Sequence, residues 1–363
     1  MTEHTAAGTD AWYAYDGPEN DVVLSTRVRL ARNLANFPFP SNCKGDDAER
    51  IQTLVFDSFA HGEHPDCFQA LATSDLDELG TKILIERGVL DGNAKKNPGG
   101  GIIMRTDGKI ACTVNDIDHV RISAFVPGLD GDTAYSLCRE LDEALQRTVQ
   151  FAASYDFGFL TAGIADSGSG MKVSVRLHLP SVSFTGGIAE CFKILAEKGI
   201  DISACFGSGQ GKGASLGSYY QVSTRNAGVG TEFDQMASLV AAVKYLAEYE
   251  RRIREDCVQH RFTELQDSVF RAYSTAKFSL LMPQREAVDI IARIKWGKDA
   301  GLLSGIDDTA LCALLYRIQE GHLQFILKNG TFHFSEDIAQ NSQLQADRLR
   351  AVIMQETFEH LKI

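Results

Sequence analysis

At 363 residues, with 44% hydrophobic and 23% charged residues, the chain has the make-up of a folded protein long enough for two domains. A formal net charge of −12 argues against nucleic acid or anionic membrane as a partner, and suits basic partners such as arginine-rich protein segments. No stretch approaches the ~18 apolar residues of a membrane span, and Met1 to Asp16 lacks the basic and apolar regions of a signal peptide. Eight scattered cysteines without a Cys-x-x-Cys pair read as reduced, mostly buried thiols of a cytoplasmic protein.

In chain order, the first informative segment is Val22-Val-Leu-Ser-Thr-Arg-Val-Arg-Leu-Ala-Arg-Asn33. Apolar residues alternate there with Ser25, Arg27 and Arg29, so a strand would project those three to one face. Two guanidinium groups and a hydroxyl on one face suit a polyphosphate, because arginine offers paired donors and keeps its charge. The same pattern also fits the solvated basic face of an ordinary strand. His61-Gly-Glu-His64-Pro-Asp-Cys67 lacks the spacing of zinc motifs and reads as a polar loop; no metal site is expected. Gly101 to Val114 predicts a hairpin turning at Asp107-Gly108. Leu137, Leu141, Leu145 and Val149 predict a helix entered through an Asp132-Thr133 cap.

Met171 to Pro180 alternates again, placing Lys172, Ser174, Arg176 and His178 on one face, where they can line a site. Gly207 to Gly217 is glycine-rich but misses the Walker pattern, having Phe206 before it and Gly213 after Lys212. Asp234 to about His260 predicts a long charged helix carrying Val240, Val243 and Leu246 inward. Helical patterns follow at Ala287–Trp296, Asp308–Glu320 and Asp347–Leu361. The expected fold is α+β: an antiparallel sheet flanked by helices over residues 1–258, then a smaller α-helical domain over 259–363.

Trp12 through Asn33 to Pro38-Phe-Pro40 resembles the start of bacterial protein-arginine kinases, members of the ATP:guanidino phosphotransferase family. Further likenesses follow in order at Val114–Ile122, Phe159–Ala162, Gly168–Val175, His178–Pro180, Gln221–Ser223, Trp296–Leu302 and Asp347–Ala351. The resemblance implies ATP with Mg2+ and a nucleotide site of Ser25, Thr26, Arg27, Val28, Arg29, Arg121, Lys172, Val173, Ser174, Val175 and Arg176. It also implies a homodimer, arginine-containing or phosphoarginine protein partners, and a link to Clp-type proteases and a small activator protein.

The chemistry moves the γ-phosphoryl group of ATP to a guanidinium nitrogen. Carboxylates must orient that cation, and cationic donors must stabilise the phosphoryl oxygens. In this family two glutamates and a cysteine join the arginines, and this chain departs from the pattern. The string Asn-Glu-Glu-Asp-His reads Asn115-Asp116-Ile117-Asp118-His119, and an isoleucine cannot accept a guanidinium hydrogen bond. Thr-(Ser/Ala)-Cys-Pro-Thr-Asn reads Thr161-Ala-Gly-Ile-Ala-Asp166, so Gly163 stands opposite the cysteine. Lys172 replaces an arginine, Gly88 a histidine beside the nucleotide, and the Arg-Gly-x-x-Gly-Glu-Gly motif has no counterpart between Glu197 and Arg225.

The resemblance also implies phosphoarginine binding through Asp347 and Arg350, since Arg-Asp-x-x-Arg-Ala reads Ala346-Asp347-Arg348-Leu349-Arg350-Ala351. An ion pair at this helical spacing has the plainer reading of a surface bridge. The expected function is a catalytically weak or silent kinase homologue in a binding or regulatory role. The rival is an active protein-arginine kinase using Asp116, Asp118 or His119, and a free-arginine kinase is a weaker third reading.

Overall fold

The computed structural model describes residues 11–62, 64–91, 99–209 and 214–363. Residues 210–213 of the glycine-rich segment, Lys212 among them, therefore lie outside the described residues, as does Glu63 of the His61–Cys67 cluster.

The strands are β1 (Val23–Arg32), β2 (Phe68–Ala72), β3 (Gly101–Arg105), β4 (Ile110–Val114), β5 (Val120–Pro127), β6 (Ala153–Ser154), β7 (Gly158–Phe159), β8 (Met171–His178), β9 (Ile200–Ala204) and β10 (Tyr219–Thr224). Eight of them form one sheet in the order β2-β3-β4-β5-β1-β8-β10-β9, and β6 pairs with β7. β2–β3, β3–β4, β4–β5 and β1–β5 are antiparallel, and the expected α+β fold is the one observed. The hairpin between β3 and β4 turns where expected. Asp107 accepts from the Arg105 guanidinium and from the Lys109 N–H, with Gly108 at φ 67°.

Packing groups the chain into two compact units. One compact unit holds residues 1–18, 25–175 and 223–241; the other holds 19–24, 176–222 and 242–363.

In the first unit lie α1 (Gly45–Ala60), α2 (Glu78–Glu86) and α3 (Gly131–Gln146). The cap of α3 is Asp130, whose carboxylate takes the Thr133 N–H at 3.0 Å, two residues before the expected position. Its buried face is Ala134, Cys138, Asp142 and Leu145, and the expected Leu137 and Leu141 flank it half-buried. An aspartate belongs on that face because Arg32, itself buried, meets Asp142 at 2.9 Å. Arg32 also donates to the Ser169 carbonyl and lies over the Phe159 ring. Gly170 (φ +66°) lets the chain pass here, since a Cβ would fall 2.4 Å from Arg32 Nη1.

In the second unit lie α4 (Pro180–Phe184), α5 (Ile188–Glu197) and, after α6 (Glu232–His260), the helices α7 (Phe262–Phe278), α8 (Gln284–Asp299), α9 (Asp308–Arg317), α10 (Glu320–Asn329) and α11 (Ser342–Thr357). Val243 and Leu246 of α6 point inward as expected, with Val240 half-buried. Leu265 and Val269 of α7, Ile291 and Ile294 of α8, Leu314 of α9 and Met354 of α11 share one buried core. The Trp296–Leu302 string serves this core. Trp296 Nε1 donates to Ser181 Oγ, a Cβ at Gly297 would collide with Val269, and Lys295, Lys298, Asp299 and Asp308 form an ion-pair cluster. Asp308–Glu320, expected as one helix, breaks at Ile318-Gln319 into α9 and α10. All eight cysteines are free, four buried and four half-buried. No helix among the described residues is long and apolar enough to cross a membrane.

Candidate functional site: an arginine pair answered by aspartates

The alternation of β1 does place Ser25, Arg27 and Arg29 on one face. The register pairs Arg27 with Phe125, Arg29 with Ser123 and Ala31 with Arg121. Opposed residues of an antiparallel pair share a face, so Arg121 stands diagonally beside Arg29. Thr26 and Val28 lie on the other, buried face, where Thr26 Oγ1 donates to the Gly128 carbonyl at 2.7 Å. Arg27 Nη1 donates to the carbonyl of Gly88, at the position where the resemblance implies a histidine.

Arg29 and Arg121 are ringed by carboxylates. Arg29 Nη2 lies 3.2 Å from Asp166 Oδ2. Arg121 lies 2.9 Å from Asp118, 3.8 Å from Asp116, 3.8 Å from Asp91 and 4.0 Å from Asp166. Two cations thus face four anions. Burial, followed by the neighbouring Arg121 charge, lowers the pKa of Arg29. Burial raises that of Asp116 against the pull of Arg121. Arg29 Nε and Ser174 Oγ are buried without a hydrogen-bond partner. A donor left in that state fits a phosphate oxygen, so the residues present suit a polyphosphate.

The tip between β4 and β5 carries the residues read as catalytic, and it divides them. Asp118 is fully buried and accepts from Asn33 Nδ2 (2.9 Å), Ala162 N–H (2.7 Å) and Arg121 Nε (2.9 Å). His119 Nδ1 accepts from the Leu34 N–H at 3.0 Å, which leaves the proton on Nε2 for the Pro38 carbonyl at 2.9 Å. Burial lowers the pKa of this histidine and keeps it neutral. Both residues are consumed by internal bonds, which corrects their reading as substrate-orienting groups. Of these three residues, Asp116 keeps a partly exposed side chain. Ile117 is 47% exposed and Ile164 is 93% exposed, the first at this tip and the second on the loop that supplies Asp166.

On β8, Lys172 is half-buried, Val173, Ser174 and Val175 are buried, and the Val173 N–H donates to Thr224 Oγ1. Arg176 donates to Tyr316 Oη at 2.9 Å, and His178 is buried in a stack with Tyr219. The alternation was read correctly: on its polar face Lys172 and Arg176 are half-buried, and Ser174 and His178 are buried.

Asp347 and Arg350 do come together, at 2.6 Å, but not as a ligand site. Arg350 is 0% exposed. Its guanidinium donates to the carbonyls of Ile318 and Met282 and to the carboxylates of Asp347 and Glu320. Every arm is engaged, so the expected grip on a phosphate gives way to a clamp inside the helical core.

Two residues of the arginine centre escaped the sequence reading. Asp166 carried a readable sign, because an acid stands where the resembling string has asparagine. Asp91 carried none.

The ATP:guanido phosphotransferase C-terminal catalytic domain matches residues 50–253, and the protein-arginine kinase McsB C-terminal domain matches residues 262–362. Protein-arginine kinase from a Geobacillus species is 30% identical over 317 residues, covering 86% of this chain and 87% of the relative. Protein-arginine kinase from Halothermothrix orenii is 29% identical over 314 residues, covering 86% and 89%. Among solved structures, a lombricine kinase superposes with a TM-score of 0.56 at 16% identity, covering 69% of this chain and 72% of the other. A duplicated taurocyamine kinase from Schistosoma mansoni superposes at 0.57 and 22% identity, covering 68% and 36%.

Proposed function

The chain belongs to the protein-arginine kinases of the ATP:guanidino phosphotransferase family, and from that premise we propose a member whose phosphotransfer is weak or silent. On this reading it acts by binding nucleotide and arginine-bearing proteins in a regulatory role. The observation that supports it is the tip between β4 and β5, where exposed Ile117 stands beside an Asp118 and a His119 with no free polar atom. Losing an orienting or acid–base group costs about 10²–10⁴ in rate, and Gly163 adds the loss of the thiol. ATP would be held by Arg27, Arg29, Arg121, Lys172 and Ser174, with Mg2+ on its phosphates. Phosphoarginine recognition through Arg350 is not part of this reading.

The resemblance extends the proposal to a cytoplasmic homodimer, built from a catalytic-type part (1–258) and a helical part (259–363). It would serve a Clp-type protease system with a small activator protein. Incubation with MgATP and an arginine-rich protein, read for acid-labile phosphate, should give a signal near background. Titration calorimetry should show nucleotide binding that weakens when Arg27 and Arg29 become Ala. Robust phosphorylation abolished by Asp116→Asn would instead establish a working kinase. Asp116, with its raised pKa and accessible side chain, is the residue that favours that second reading.

A further inference from the structure

The aspartates around Arg29 and Arg121 are not equivalent. Asp118 is buried and triply bonded, and so belongs to the framework. Asp116 and Asp91 reach only Arg121, at 3.8 Å each. Asp166 alone touches both arginines, placing one oxygen 3.2 Å from Arg29 Nη2 and 4.0 Å from Arg121 Nη2. An anion shared between two cationic donors is what a phosphate oxygen would be at the same pair.

The loop that delivers Asp166 is fastened on both sides. Thr161 Oγ1 and the Asp166 N–H both donate to the Gly163 carbonyl, and the Ala162 N–H is held by Asp118. The carboxylate is therefore presented to the arginines by a tied turn. Its side chain is 20% exposed, within reach of solvent and of a competing anion.

We propose that Asp166 is a tethered anion that occupies the phosphate position of the Arg29–Arg121 pair and sets how tightly the centre holds a polyphosphate. This rests on the nucleotide-binding reading above. A polyphosphate must displace this carboxylate or share the pair with it, at the expense of a charge-assisted hydrogen bond. Removing the charge while keeping the shape releases Arg29 from its ion pair and takes one of four carboxylates away from Arg121, which stays bonded to Asp118.

The test is calorimetric titration of the full chain with ATP, inorganic triphosphate and adenosine, for wild type, Asp166→Asn, Asp166→Ser and Asp166→Glu. The first two variants should bind ATP and triphosphate about ten- to a hundredfold more tightly, the equivalent of one charged hydrogen bond. Asp166→Glu should not tighten binding, and adenosine should respond to none of the changes, since it carries no charge for the pair to meet. A general loosening of the loop would not follow the charge of both side chain and ligand in this way. Two neutral variants keep the test informative should one misfold. If wild type and the neutral variants bind triphosphate equally, Asp166 has no such role and the nucleotide reading stands. If none of them binds ATP or triphosphate, the nucleotide reading falls as well.

Discussion

Asn33, Asp118 and His119 belong to one bonded framework, with Arg32 next to it in the chain. Asn33 ties Asp118 to the Leu160 carbonyl and takes the His119 N–H, while Arg32 holds Asp142. These residues serve the fold here, whereas Ile117 and Gly163 lend no side chain to that framework. Gly163 is the clearer case. A Cβ there would meet only Asp166 Oδ2, at 3.9 Å, and the residue is not in the left-handed region. Packing does not demand the missing thiol's absence. Gly163→Cys should change unfolding free energy by no more than about 0.5 kcal/mol in a urea titration. Ile117→Glu should be tolerated likewise, because its side chain meets water. Neither variant, nor the pair, should raise arginine phosphorylation above background. The arginine and glutamate of the lost Arg-Gly-x-x-Gly-Glu-Gly motif remain absent, and groups that act together do not restore rate singly.

At the level of elements, the strands were legible because burial on a sheet imposes a period of two, and β3, β4 and β8 run where the alternation put them. The Asp347–Arg350 spacing was legible as a pair too, but not its burial, because Ile318, Met282 and Glu320 come from distant segments. The same holds for Asp91 and Asp166, which only the folded chain brings to the arginines. Arg350→Ala should destabilise by about 3–5 kcal/mol in denaturant unfolding, since it leaves the Glu320 and Asp347 carboxylates buried without their cation. Glu250 makes a second tie, taking the Ser181 and Val182 N–H groups at the start of α4. Burial raises its pKa from 4.5 to about 7. Between those values the folded state binds more protons than the unfolded state. This group's contribution therefore makes stability fall as pH rises from 4.5 to about 7, then level off. Glu250→Gln should flatten that part of the stability–pH curve, and an unchanged slope would show that other groups set it.

For the molecule as a whole, a net charge of −12 surrounds a centre in which anions already outnumber cations. Long-range attraction therefore favours basic protein segments over free polyphosphate. Binding of an arginine-rich protein should weaken about tenfold or more between low salt and about 0.5 M, as the Debye length shrinks. An affinity independent of salt would place recognition in short-range contacts instead.

The open space beside Gly163 makes that position a socket for a probe. A cysteine installed there would sit within reach of Asp166 and so close to Arg29. The rate at which it takes up a thiol reagent would then act as a footprint. Bound nucleotide would shield it, an arginine-rich protein covering the tip would shield it too, and the two could be told apart by adding them in turn.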